Sequence, residues 1–269
     1  MSKKDGNIMP TRHNISRGDE TYAGDAFHPG YSPDGRAGVR WSHVLVKDYG
    51  APVAAGGEKL IKDATTTELP DTETVTYTPA TDGTSPLDGT GRPSVVTITP
   101  NGVSTSVWSF DVPRNITSTT THASSIVAMT ILCTGYDEYL EPMSELITVP
   151  ATGTSTAVDG KKAFKYLKSI AVTAVANAEA NTLDMGIGEV FGLPVVSLEK
   201  GMMNVWVDGV VDAATKVVAV TTSPATTTTG DVRGTWDPAS AADGTKQYIV
   251  WIAVADRSTK LAAFGVTQA

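Results

Sequence analysis

One cysteine, Cys133, occurs among 269 residues. A disulfide framework and a cysteine-rich zinc module are thereby excluded. No run of about 18 consecutive apolar residues occurs, so no helical membrane span is expected. The opening MSKKDGNIMP lacks the apolar centre of a secretory leader, which points to a chain made in the cytoplasm. Basic residues are also few: 21 Lys and Arg against 29 Asp and Glu leave a formal charge of −8. Nucleic-acid binders replace counterions with Lys and Arg, so nucleic acid is not an expected partner. Stretches rich in Glu, Lys, Leu and Gln, which favour helix, are missing.

Threonine is what the chain has in excess, with 38 residues. Its branched β-carbon suits strands better than helices, and the aliphatic segments are mostly Val and Ile. Seven Asp-Gly pairs and Asn101-Gly102 supply the positive backbone angles of tight turns. Two of them separate strand-like runs: VTITP from VSTSVWSFDV at Asn101-Gly102, and VWV from VVDA at Asp208-Gly209. Both read as hairpins.

Strands are expected at 74–78, 94–99, 105–112, 125–134, 144–149, 163–175, 182–187, 203–211, 216–222 and 246–255. Trp108, Phe110 and Val112 share one face at period two, as do Tyr248, Val250, Ile252 and Val254. Run 125–134 is apolar on both faces, which suits the middle of a sandwich. Segment 163–175 also fits a helical stripe through Phe164, Leu167 and Ile170, but strand is preferred. The fold class is mainly β, with a β-sandwich or jelly-roll-like body behind an extended, non-globular N-terminal arm.

Three regions follow from composition: an arm over 1–45, a loop-rich region with short strands over 46–104, and the body over 105–269. The arm has almost no aliphatic periodicity, so it cannot bury an apolar face of its own. Through residue 47 its net charge is +2, whereas the remainder carries −10. A segment of this kind becomes ordered only when a partner holds it. Arg12, Arg17, Tyr31, Arg36, Arg40 and Trp41 are its candidate contact residues, because Arg, Tyr and Trp are enriched at interface hot spots.

The sequence carries no recognisable catalytic or cofactor pattern. His13, His28, His43 and His122 form no metal-binding spacing, Gly186-x-Gly188-x-x-x-Gly192 has the wrong last interval for a dinucleotide loop, and Asp159-Gly160-Lys161-Lys162 lacks the rest of a phosphate loop. Cys133 lies within an apolar run and reads as core. Asp137, Glu138, Glu141 and Glu145 read as a solvated turn between two strands rather than as paired general acids. Asp231-Val-Arg233-Gly234 reads as a local ion pair and bulge at the start of a strand. No enzyme activity, no cofactor and no metal are expected.

Three stretches carry a resemblance. DVPRNITSTTTHASSIVAMTILCTGYDEYLEPMSELITV (111–149) resembles a DVPRN…TGYDEYG…M-x-E pattern. GKKAFKYLKSIAV (160–172) is followed by GIGEVFGLPV (186–195), and TTTTGDVRGTWDPASAADGTKQYIV (226–250) is similar to a TTGDVRGTY-P…DG motif. The group they resemble comprises structural proteins of tailed-bacteriophage virions. Leu140 departs from the pattern where glycine is expected. The resemblance implies a decoration or cement protein on the outer head, gripping the major capsid protein and associating with itself, as a homotrimer. A neck, tail or fibre component is the alternative. A carbohydrate-binding sandwich, with Trp206, Trp236 and Trp251 as its platform, is a second one.

Overall fold

A computed structural model describes residues 41–64, 74–79, 93–174, 181–195, 203–212, 216–218 and 226–255. Among these the fold is mainly β, and every strand pair is antiparallel. The strands are β1 (Trp41–Gly50), β2 (Gly56–Ala64), β3 (Thr74–Tyr77), β4 (Ser94–Ile98), β5 (Thr105–His122), β6 (Met129–Tyr136), β7 (Pro142–Val149) and β8 (Ser155–Asp159). They continue as β9 (Phe164–Ala174), β10 (Asn181–Gly192), β11 (Met203–Val207), β12 (Val210–Val211), β13 (Lys216–Val218), β14 (Thr235–Asp237) and β15 (Tyr248–Ala255). Expected segment 163–175 is therefore strand. Positions 219–222 of another lie outside the described residues, as do Arg12, Arg17, Tyr31, Arg36 and Arg40.

β5 organises the larger sheet. Its first half pairs with β4 on one side and β9 on the other. The register shifts between Ser109 and Arg114, and the second half pairs instead with β10 and β8. The spine of the sheet runs β13-β14-β10-β5-β9-β6-β7, with β2 on β10 and β3 on β9. The change of partners lets two halves of one sheet close over a shared core. Leu60, Ile61, Ile116, Leu183, Met185 and Ile187 come from one half, and Ile131, Cys133, Ile147, Phe164, Ile170 and Val172 from the other. Cys133 is buried there as expected, and burial pushes its thiol pKa up.

The smaller sheet has the order β1-β15-β11-β12. Its inner face brings Tyr49, Val205, Tyr248, Val250 and Ile252 onto Val112, Phe191, Leu193 and Trp236 of the larger sheet. Phe191 stacks on Tyr49 at 5.5 Å and meets Tyr248 edge-on at 5.4 Å and Trp236 edge-on at 5.8 Å. Such geometry adds about 0.5–1.5 kcal/mol per ring pair beyond area burial.

Composition set several boundaries differently from the strands. β1 begins at Trp41, inside the last residues assigned to the arm, and Trp41 pairs with Ala255 at the other end of the chain. β4 pairs with β5 across the expected boundary at 104. β1, β2, β8, β14 and the second half of β5 were not expected as strands. PRNITSTTTH begins with proline and holds few aliphatics, and GGEKLIKDA opens on two glycines, so both read locally as loop. Strand β6 is not apolar-buried on both faces: its residues alternate between buried and half-buried. The two hairpin turns do form. Asn101 and Gly102 have φ of 50° and 80°, and Asp208 and Gly209 have 51° and 74°.

Candidate functional site

Charge is concentrated where the two sheets meet, and it is dry. The turn between β6 and β7 is built around Asp137, which is fully buried. Its Oδ1 accepts the N–H groups of Tyr139 at 2.7 Å and Glu141 at 3.0 Å. Its Oδ2 accepts Arg233 Nη1 at 2.6 Å. Leu140 closes this turn with a φ of 66°, a left-handed conformation that glycine adopts at least cost.

Arg233 joins three segments. Its guanidinium lies 5.3 Å from the Tyr139 ring, and its Nε is 4.0 Å from Asp231 Oδ1. Asp231 Oδ1 also accepts the backbone N–H of Arg233, and its Oδ2 accepts the N–H of Ala163 at 3.2 Å. Burial by itself lowers the Arg233 pKa, but Asp231 and Asp137 outweigh it and raise the value. Gly234, at φ 88°, then turns the chain into β14. The local pair expected between Asp231 and Arg233 is thus the looser one, and the close partner is 96 residues away.

Glu145 of β7 is buried as well. It accepts the N–H groups of Lys161 and Lys162, and a side chain at Gly160 would place its Cβ 2.7 Å from the carboxylate. Burial raises the Glu145 pKa, and the two N–H donors oppose that. The acidic cluster is therefore not a solvated turn: Asp137 and Glu145 are interior. Ordinary periodicity hides this, because their partners lie far off in sequence.

DVPRN behaves similarly. Buried Arg114 donates to Gly188 O at 3.3 Å and to Asp111 Oδ2 at 3.1 Å, and it covers the Phe191 ring at 5.1 Å. Asn115 donates from Nδ2 to Gly160 O and accepts the Val190 N–H at Oδ1. A Cβ at Gly188 would fall 2.2 Å from that oxygen, so only glycine fits. Tyr49 and Tyr139 donate their hydroxyls to Gly192 O and Pro194 O, each at 2.7 Å. The motifs that carry the resemblance thus converge on one buried hub, and its polar groups are spent on holding backbone segments together.

A second region has the opposite character. On the outer face of the smaller sheet, register places Val46, Trp251 and Asn204 on one rung, and Asp48, Ile249, Trp206 and Val211 on the next. Val46 is 53% exposed, Trp251 46% and Val211 58%. Trp206 and Trp251 touch, with ring centroids 4.7 Å apart and planes tilted by 53°. Trp236, the third tryptophan of the expected platform, is fully buried beneath the opposite face and takes no part. Of the arm residues proposed as contacts, only Trp41 falls within the described chain, at the start of β1.

Among the described residues the architecture is an antiparallel β protein with a buried charged hub and an exposed apolar sheet face. No family model matches the chain, no curated protein matches its sequence, and no solved structure matches its fold.

Proposed function

We propose that this chain is a structural virion protein of a tailed phage, a capsid cement that binds neighbouring major capsid subunits and stabilises the head against genome pressure. The observation that carries this reading is the exposed apolar outer face of the smaller sheet. Val46 and Trp251 leave apolar surface in water on the sheet whose edge strand, β1, begins within the segment 1–45 read as an arm. The arm and that face give the chain two ways to grip, and linked weak contacts multiply through effective concentration. The partners on this reading are the major capsid protein and further copies of the chain, on the outer surface of the head. The motif resemblance supports the phage assignment.

Thermal release of genome is the test. Heads lacking the protein are expected to lose DNA at a lower temperature than complete heads, and adding the purified chain back restores them. Release at an unchanged temperature overturns the cement reading. About a dozen copies per virion, rather than hundreds, would move the protein to the neck or tail.

The contact between Trp206 and Trp251 gives the carbohydrate reading its one supporting observation. The tilt of the rings does not make the flat platform a sugar chain stacks on.

A further inference from the structure

We infer that Asn101 is a site of spontaneous deamidation, selected by the fold from among the Asn-Gly and Asp-Gly pairs of the described chain. Asn101 is the one asparagine of the sequence that precedes glycine. Glycine leaves its backbone nitrogen unshielded, whereas the β-branched residues after Asn115, Asn181 and Asn204 crowd theirs. Asn115 and Asn181 are also buried, with both ends of their amides bonded.

The described residues hold three Asp-Gly pairs besides Asn101-Gly102, and each of the three is tied down. Gly160 is buried and donates its N–H to Ile116 O at 2.7 Å. Asp208 Oδ1 accepts the Gln247 N–H at 2.8 Å. Asp243 Oδ1 accepts the Thr245 N–H, the Thr245 hydroxyl and the Lys246 N–H, and Gly244 donates to Pro52 O at 2.9 Å. The Asn101 side chain stands exposed and has no hydrogen-bond partner among the described residues. Around Gly102, the place a Cβ would take has nothing within 4 Å.

At φ 50° and ψ 32°, Asn101 turns the Gly102 nitrogen away from its own Cβ, so reaction waits on opening of the turn. One hydrogen bond, from Val103 N–H to Pro100 O at 3.0 Å, closes that turn, and β4 beyond it pairs with β5 alone. A hairpin end with so few contacts opens at low cost. In the open turn the Gly102 nitrogen loses its proton to hydroxide and attacks Asn101 Cγ. The new N–Cγ bond closes a cyclic imide, the Cγ–Nδ2 bond breaks, and the amide nitrogen leaves as ammonia. Water then opens the ring, giving aspartate when it adds at Cγ and isoaspartate when it adds at the backbone carbonyl. An aspartate in the same place must first be protonated and then expel water, so the Asp-Gly pairs are disfavoured chemically as well as by their contacts. Either product adds one negative charge to the turn. Isoaspartate also carries the main chain through Cβ, one carbon longer, which displaces Ser94–Ile98 from its register on β5.

Peptide mapping by mass spectrometry tests this on the full chain, held at neutral and at mildly alkaline pH. The Asn101 peptide is expected to convert from amide to acid, faster at the higher pH, with isoaspartate detected by isoaspartyl methyltransferase labelling. Each described Asp-Gly pair is expected to isomerise at least about tenfold more slowly. In urea that selectivity should narrow, because the contacts holding the Asp-Gly pairs are gone. Asn101→Ser, with a native circular dichroism spectrum, is expected to abolish labelling of this peptide. Hydrogen exchange of the aged chain should show lost protection in Val96–Ile98 and none lost in β6. An Asn101 that keeps its amide while a free TPNGVST peptide converts overturns the inference. Conversion no faster than at Asp208 or Asp243 overturns the selection by the fold, and unchanged protection of β4 overturns the displacement. None of these assays uses phage heads, so the cement reading and this inference stand or fall separately.

Discussion

Where the sheets join, Asp137, Arg233, Asp231 and Glu145 are interior, whereas on the outer face of the smaller sheet Val46, Val211 and Trp251 stand about half in water. The two regions invert the usual distribution, and for different reasons. The interior charges are compensated: each carboxylate meets backbone N–H groups or a guanidinium, and each fixes one loop against another. The outer apolar groups have no compensation within the described residues. A buried charge with its partners in place is part of the scaffold, while an exposed apolar face is a surface for something else. The first should be costly to disturb in the isolated chain, and the second nearly free.

Removing one partner from the hub is the largest expected effect. Arg233→Met leaves Asp137 buried without its cation, and is expected to lower unfolding free energy by about 3–5 kcal/mol in urea titrations. Adding Asp137→Asn should recover part of that loss, because the asparagine oxygen still accepts the turn N–H groups without the unpaired charge. A loss below about 1 kcal/mol for the single variant would show that the hub does not hold the sheets together.

Acidity sharpens the comparison next. The Glu145 carboxyl holds its proton more tightly in the fold than in the unfolded chain, because burial disfavours its charge. That contribution is complete below the unfolded value of about 4.3 and is lost as pH rises through the raised folded value. The Tm advantage of the native chain over Glu145→Gln is therefore expected to shrink as pH rises from about 4 through that window. An advantage that grows with pH would mean the two N–H donors outweigh burial.

The smallest effect belongs to the outer face. Trp251→Ser at a dilution that keeps the chain unassociated is expected to change unfolding free energy by no more than about 0.5 kcal/mol, the range of ordinary surface substitutions. A loss of several kcal/mol would place Trp251 with the hub as scaffold and erase the contrast.

Much of the core was legible because burial follows local pattern. Trp108, Phe110 and Val112 alternate along β5 and are all buried, and Tyr248, Val250 and Ile252 do the same along β15. The hairpin turns were legible because Asn101-Gly102 and Asp208-Gly209 carry their backbone preference with them. The charged hub was not. Asp137 and Glu145 look like any acidic surface turn until Arg233 and the 161–162 backbone are brought against them.

Strand-forming composition, turn positions and the alternation that separates inside from outside are properties of neighbours in the chain, so the sequence by itself determined that this is a mainly β protein and where most of its strands run. Which strands pair, that β5 exchanges partners midway, that Trp206 and Trp251 meet outside while Trp236 is sealed within, and that an acidic turn becomes the anchor of a buried arginine depend on contacts between distant segments. Only the tertiary structure decided those, because the free energy of a charge or an indole depends on what surrounds it, and its surroundings are chosen by the whole chain.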